Sequence, residues 1–209
     1  MNPANPANPA NPVNQEASKG ESRLGQVLLS YEGKSPQVHE SVYLAPGVCL
    51  SGDIQIREDA SFWFHAVARG DVNSIFVGAG SNIQDHSILH VSGGQSPTVI
   101  GDQVTIGHRV IVHSCRIDDL CIIGMGSILL DNAHIPRHSF VAAGSVVPPG
   151  KTYPPGHMIM GSPARAVRLL RPEEIEGIFK SAETYKKLAR TYSSNSSWRS
   201  GHLMPTMSC

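Results

Sequence analysis

The chain is poor in charge, in aromatic residues and in long apolar runs. Charged residues make up only 16% of 209 and balance, 17 Lys and Arg against 17 Asp and Glu. A formal net charge of zero argues against nucleic acid or an acidic membrane as the main partner. No apolar run approaches the length of a transmembrane helix, so no membrane partner is expected. The four cysteines, Cys49, Cys115, Cys121 and Cys209, show neither zinc-finger nor redox-pair spacing; they fit free thiols in a reducing compartment. The opening stretch, "MNPANPANPANPVNQEASKGES", lacks both a basic n-region and an apolar h-region. It does not read as a secretory signal, and a cytoplasmic location is the expectation. It also has nothing to bury, so residues 1–22 are expected to form a disordered or polyproline-like tail.

What the chain does have is a period of six. From Ile100 it divides into IGDQVT, IGHRVI, VHSCR, IDDLCI, IGMGSI, LLDNAH, IPRHSF, VAAGSV and VPPGKT, each piece beginning with Ile, Val or Leu. VHSCR is one residue short. The fifth position is small or β-branched at Val104, Val110, Cys121, Ser127, Ala133, Ser139 and Ser145. The same frame runs upstream from Leu50, breaks at a three-residue insertion after ARGDVN, and resumes at Val77. A β-sandwich alternates with period two and does not hold an apolar residue at every sixth position. The period predicts an all-β solenoid, a parallel β-helix in which three hexapeptides make one triangular turn. The first residue of each is an inward knob, the fifth sits at a corner, and successive turns stack about 4.8 Å apart. Its left hand is taken from resemblance to known hexapeptide-repeat proteins, since it runs against the usual crossover rule.

The repeat frame is expected to occupy residues 23–168. "RPEEIEGIFKSAETYKKLARTY" follows, with an apolar stripe at Ile175, Ile178, Phe179, Ala182, Tyr185, Leu188, Ala189 and Tyr192. That spacing predicts a C-terminal α-helix over 169–194, packed on the β-helix as a cap. Pro172 and the leading acids suit its start, and Lys186, Lys187 and Arg190 suit its end. Residues 195–209 turn polar and are expected to be a flexible tail.

Ten histidines are many for such a chain. In the repeat frame Val77, Ile83 and Leu89 make the three sides of one turn, and Ile100, Ile106 and Val112 those of the next. Leu89 and Val112 then share a side, and each is followed by a histidine, His90 and His113. These rings should point outward from one face, stacked one turn apart, where they can share a metal. His108 lies toward the far corner of the preceding side and cannot easily reach them. In a threefold trimer a neighbour's edge packs on this face, and the site becomes His90 and His113 from one chain with His108 from the next. Three neutral imidazoles with one position open suit a catalytic zinc site.

Five stretches, "ARGDVNSI", "SNIQDHSILHV", "VTIGHRVIVHSC", "IIGMGSILLDNA" and "GSPARAVR", together resemble the γ-class carbonic anhydrase family over roughly residues 30 to 170. The resemblance implies a left-handed β-helix, a homotrimer and interfacial Zn2+, with Fe2+ or Co2+ as other candidates. It implies reversible hydration of CO2 to bicarbonate by a metal-bound hydroxide. It implies that Arg69 and Asp71 form an interface ion pair beside the metal, and that Gln84 and Asp85 orient the attacking water. Two departures bear on the rate. The loop after the first histidine, "VSGGQSPTV", is short and carries no acid to shuttle protons, and "GHMIMGSPA" lacks a tyrosine that some members place there. His65 and His86 are candidate substitutes for the shuttle. The same fold also hosts hexapeptide acyltransferases and acyl-CoA thioesterases, and a catalytically weak zinc-binding trimeric scaffold is a third reading.

Overall fold

The computed structural model describes residues 25–194, and the two expected tails lie outside that range. The chain winds into a parallel β-solenoid of about 7 turns, closed by one C-terminal helix. Two long strands, Cys49–Ile56 and Val67–Val77, each run round a corner and join two faces into one sheet, and the third face forms a second sheet.

The period of six is the reason for this shape. The inward column of the first face is Leu50, Ala68, Leu89, Val112, Leu129 and Val147, all in register from turn to turn. The second face stacks Ile56, Val77, Ile100, Ile117 and Ile135. The third stacks Phe62, Ile83, Ile106, Ile123, Val141 and Ile159. Every one of these side chains is buried. Each fully enclosed Leu or Ile contributes on the order of 1.5–3 kcal/mol by leaving water. The small fifth residues sit buried at the corners. Where they are serines their hydroxyls bond backbone carbonyls: Ser127 donates to Ala142 O at 3.0 Å and Ser145 to the same oxygen at 2.7 Å.

The insertion is absorbed between Gly52–Gly70 and Ile54–Ile75, consecutive register pairs that enclose three more residues on the second strand than on the first. Gly52 has φ +83°, and a Cβ there would run into the Gly70 carbonyl. Only glycine allows the two backbones this approach. The one-residue deficit of VHSCR is met by a tight turn at Ser114, φ +44°.

A feature without the period of six closes the solenoid. Strands His157–Gly161 and Ala164–Leu169 form an antiparallel hairpin, the first of them continuing the third face. Helix Pro172–Ser194 then folds back across the third face. Trp63 is the docking point, its ring centroid 5.3 Å from those of both Tyr43 and Tyr185 and 5.4 Å from that of Tyr192. Ile178, Ala182 and Ala189 are buried beneath the helix, but Phe179 and Leu188 of the expected stripe are largely exposed. The helix runs on to Ser194, so no base falls in its last turn; Arg190 instead meets Asp59 at 3.3 Å. Among the described residues no helix is long and apolar enough to cross a membrane.

Candidate metal centre

Strands Ile88–His90 and Ile111–His113 carry the first group of polar residues. Because Leu89 and Val112 are inward knobs in register, His90 and His113 are register partners as well. Both rings are part-buried on the outer surface, centroids 5.0 Å apart and tilted by 59°. His90 Nδ1 lies 3.1 Å from His113 Nε2. The two remaining ring nitrogens each meet a carboxylate. Asp71 Oδ1 lies 3.3 Å from His90 Nε2, and Asp131 Oδ1 contacts His113 Nδ1.

The insertion after Gly70 brings Asp71 here, one strand below His90. Arg69, the register partner of His90, pairs with the other oxygen of Asp71. Burial pushes the Asp71 carboxyl up, but bonds from Arg69 and the Val72 N–H more than offset it and hold it below the usual range. The His113 bond does the same for Asp131. The His90 imidazole is held low by burial and then by the Arg69 cation.

A proton count tests whether this group suits a metal. The chain Asp71–His90–His113–Asp131 has three contacts, and each requires one proton between its heavy atoms. Two neutral imidazoles supply two. With N–H groups donated to both carboxylates, two bare lone pairs face each other across 3.1 Å. A third proton is disfavoured where the His90 pKa is depressed. A cation between the two nitrogens resolves the conflict. Two imidazoles on one tetrahedral ion at about 2.0–2.1 Å hold their nitrogens roughly 3.3 Å apart, close to what is seen. The residues fit, but as half a site: among the described residues no three metal-binding side chains converge within the chain.

The second group lies round the corner, on the third face. His108 Nδ1 is 2.8 Å from Asp85 Oδ2. Gln84 is buried, and its Nε2 donates to Asn82 Oδ1 at 3.1 Å. Asn82 in turn donates to Thr105 Oγ1 at 3.0 Å, and that hydroxyl meets Ser181 of the helix. Thus Asp85 bonds His108, and Asn82 is the residue that holds Gln84. Burial, then Tyr192, then the Asp85 charge push the Tyr43 hydroxyl up to about 12. His65 and His86 stack on the adjoining corner with centroids 5.3 Å apart and planes 11° from parallel, each at positive φ.

The candidate residues therefore divide. Arg69, Asp71, His90 and His113 come together on one face, and Gln84, Asp85 and His108 on the next. Asp131 and Asn82 were not among the candidates. Asp131 lies in "LLDNA", roughly one turn after His113 but one residue past the register position above it.

No family model matches the chain. It is 42% identical over 177 residues to Gamma carbonic anhydrase 2, mitochondrial, of Arabidopsis thaliana, over 82% of this chain and 64% of that one. It is 41% identical over 166 residues to the carbonic anhydrase of Geobacillus kaustophilus, over 79% of this chain and 91% of the relative. The chain belongs to the γ-class carbonic anhydrase family. As a γ-class member it spans 64% of the length of that plant relative. A solved structure similar to it is a hexapeptide transferase family protein from Anaplasma phagocytophilum, with TM-score 0.76 and 42% identity, covering 79% of this chain and 98% of that one.

Proposed function

We propose that this γ-class family member is a carbonic anhydrase-like lyase that interconverts CO2 and bicarbonate at a divalent metal ion shared between subunits of a homotrimer. Zinc is the first candidate, with Fe2+ and Co2+ as alternatives. The observation that carries the reading is the His90–His113 pair, whose facing nitrogens are 3.1 Å apart while carboxylates occupy the outer ones. The third ligand assigned is His108 from a second copy. With Nδ1 committed to Asp85, this ring offers Nε2.

The surface beside the pair supports assembly. The outward column Val67, Ile88, Ile111, Ile128 and Val146 is apolar throughout, and none of it is buried within the chain. Ile88 is 42% exposed. An unpartnered apolar stripe next to half a metal site calls for a subunit that covers one and completes the other.

When bound, such an ion supplies a Lewis acid that brings the pKa of a coordinated water down toward 7. The protein supplies the rest. Gln84, uncharged and locked by Asn82, orients the attacking water without competing for the ion. Arg69, the register partner of His90, receives the anionic product, while Asp71 holds both Arg69 and His90. We assign the protein to the cytoplasm; the mitochondrial name belongs to the plant relative.

The solved relative's name supports a second reading, acyl transfer or thioester hydrolysis. Metal analysis, CO2 hydration and acyl-CoA turnover on one purified sample separate the readings. Close to one metal per chain and hydration abolished by chelation are expected. Acyl-CoA turnover by metal-free protein, with no hydration after metal is restored, overturns the proposal. Metal without either activity leaves the weak zinc scaffold.

A further inference from the structure

We infer that Asp131 is the positioning residue of His113: it fixes that ring's proton on Nδ1 and so keeps Nε2 bare for the metal. The inference rests on the metal reading above, and not on which reaction the metal serves.

The two carboxylates of the group are not equivalent. Asp71 is divided between Arg69, the Val72 N–H at 2.9 Å and a longer 3.3 Å contact to His90. Asp131 Oδ1 meets His113 Nδ1 in a contact shorter than the one between Asp71 and His90. The Ser92 N–H on the neighbouring loop donates to Ser114 Oγ at 2.6 Å. The backbone around Asp131 is held independently of its side chain. Its carbonyl accepts from Gly150 N at 2.8 Å, and Asn132 N donates to Ser114 O at 2.7 Å. The Asn132 side chain pins the loop after His90 by donating to Gln95 Oε1 at 2.6 Å and accepting from Ser96 N at 3.2 Å. Asp131 is therefore a carboxylate on a rigid corner, one turn above the ring it addresses.

The consequence follows from the proton count. An ionised carboxylate only accepts, so the proton of neutral His113 sits on Nδ1 and the Nε2 lone pair faces His90. Without the carboxylate, the proton is free to move to Nε2 and donate across the 3.1 Å gap to His90 Nδ1. That tautomer blocks both metal-facing lone pairs at once, and metal has to displace it. Partners of this kind, behind a ligating imidazole, are worth about 10–100-fold in metal affinity.

The test uses the full-length chain, Asp131→Ala, Asp131→Asn and Ser41→Ala as a distant control. Zinc affinity is measured by competition with a chromogenic chelator, and the His113 tautomer in the metal-free protein by long-range proton–nitrogen NMR. Expected for wild type is an Nδ1–H tautomer. Expected for Asp131→Ala is an Nε2–H or mixed tautomer with zinc affinity about 10–100-fold lower and an unchanged metal-free melting temperature. Asp131→Asn keeps the shape of the side chain; should Asp131→Ala fold poorly, the same two readouts on Asp131→Asn decide. An unchanged tautomer with zinc affinity within about twofold of wild type overturns the inference. A failed anhydrase assay with the tautomer and affinity shifts present overturns the proposed reaction and leaves Asp131 in its role.

Discussion

Two neighbouring apolar residues, Ile128 and Leu129, should respond to substitution in opposite ways. Leu129 is fully buried, stacked between Val112 and Val147. Truncation to alanine removes three carbons at about 0.8 kcal/mol each, roughly 2.4 kcal/mol, before any cavity term. The rigid ladders above and below limit collapse of the cavity, so the expected total is about 3–5 kcal/mol. For a chain of this size that lowers Tm by roughly 2–4 °C per kcal/mol. Ile128 stands in the outward column between Ile111 and Val146 and is only part-buried. Ile128→Glu should cost the isolated fold less than about 1 kcal/mol but place a charge in the proposed subunit contact. Urea unfolding measures the first effect and analytical ultracentrifugation the second. The expected pattern is a destabilised trimer for Leu129→Ala and a stable species of lower mass for Ile128→Glu. Equal destabilisation by both, with assembly unchanged, refutes the assignment of the two faces.

Burial pushes the Cys115 and Cys121 thiols up to about 12, so a thiol reagent at pH 8 should label neither until the protein is unfolded, as peptide mass mapping would show. At Asp118 burial raises the carboxyl, but bonds from His134 Nε2 at 2.8 Å and Arg116 Nε at 2.7 Å more than offset it, and the net pKa is lowered. A carboxyl depressed on folding contributes stability above its unfolded pKa of about 3.9 and loses it as pH falls through the folded value. Asp118→Asn should therefore be less stable than wild type at pH 6, with the gap closing below about pH 4; a gap that does not vary with pH contradicts the ion-pair reading. Removing metal from the wild type with a chelator should lower Tm, and zinc at about 100 times its Kd should restore about 2.7 kcal/mol per site; His113→Ala should show no such response.

The solenoid was legible because its signal is redundant. One misread knob among so many still leaves the frame intact, and the register Leu89–Val112 carries His90 and His113 with it. The closing hairpin from His157 to Leu169 was not legible, since antiparallel pairing there follows local backbone geometry and not the period of six. The helix showed in its stripe, but its seat on Trp63 did not, because aromatic packing across 120 residues leaves no spacing rule. Asp131 escaped for a related reason. The column above His113 continues through Leu130, and the turn sets the carboxylate one residue beyond it, off the repeat frame. Gln84 was read beside Asp85, yet the two part where the strand Asn82–Ile83 gives way to a turn. Gln84 bonds back to Asn82, and Asp85 bonds His108.

The proposal of a shared metal is tested most directly by complementation between two inactive variants. His90→Ala destroys the ligand pair on a chain's own face, and His108→Ala destroys only the ligand lent to a neighbour. Each alone should form trimers without metal. In co-refolded mixtures, a His108→Ala chain presents an intact His90–His113 face to the intact His108 edge of a His90→Ala chain. Part of the wild-type metal content and hydration activity should return, while His90→Ala mixed with His113→Ala should regain nothing. If the first mixture stays metal-free although mass spectrometry shows mixed trimers, the ligands are not shared between chains and His108 does not belong to the site.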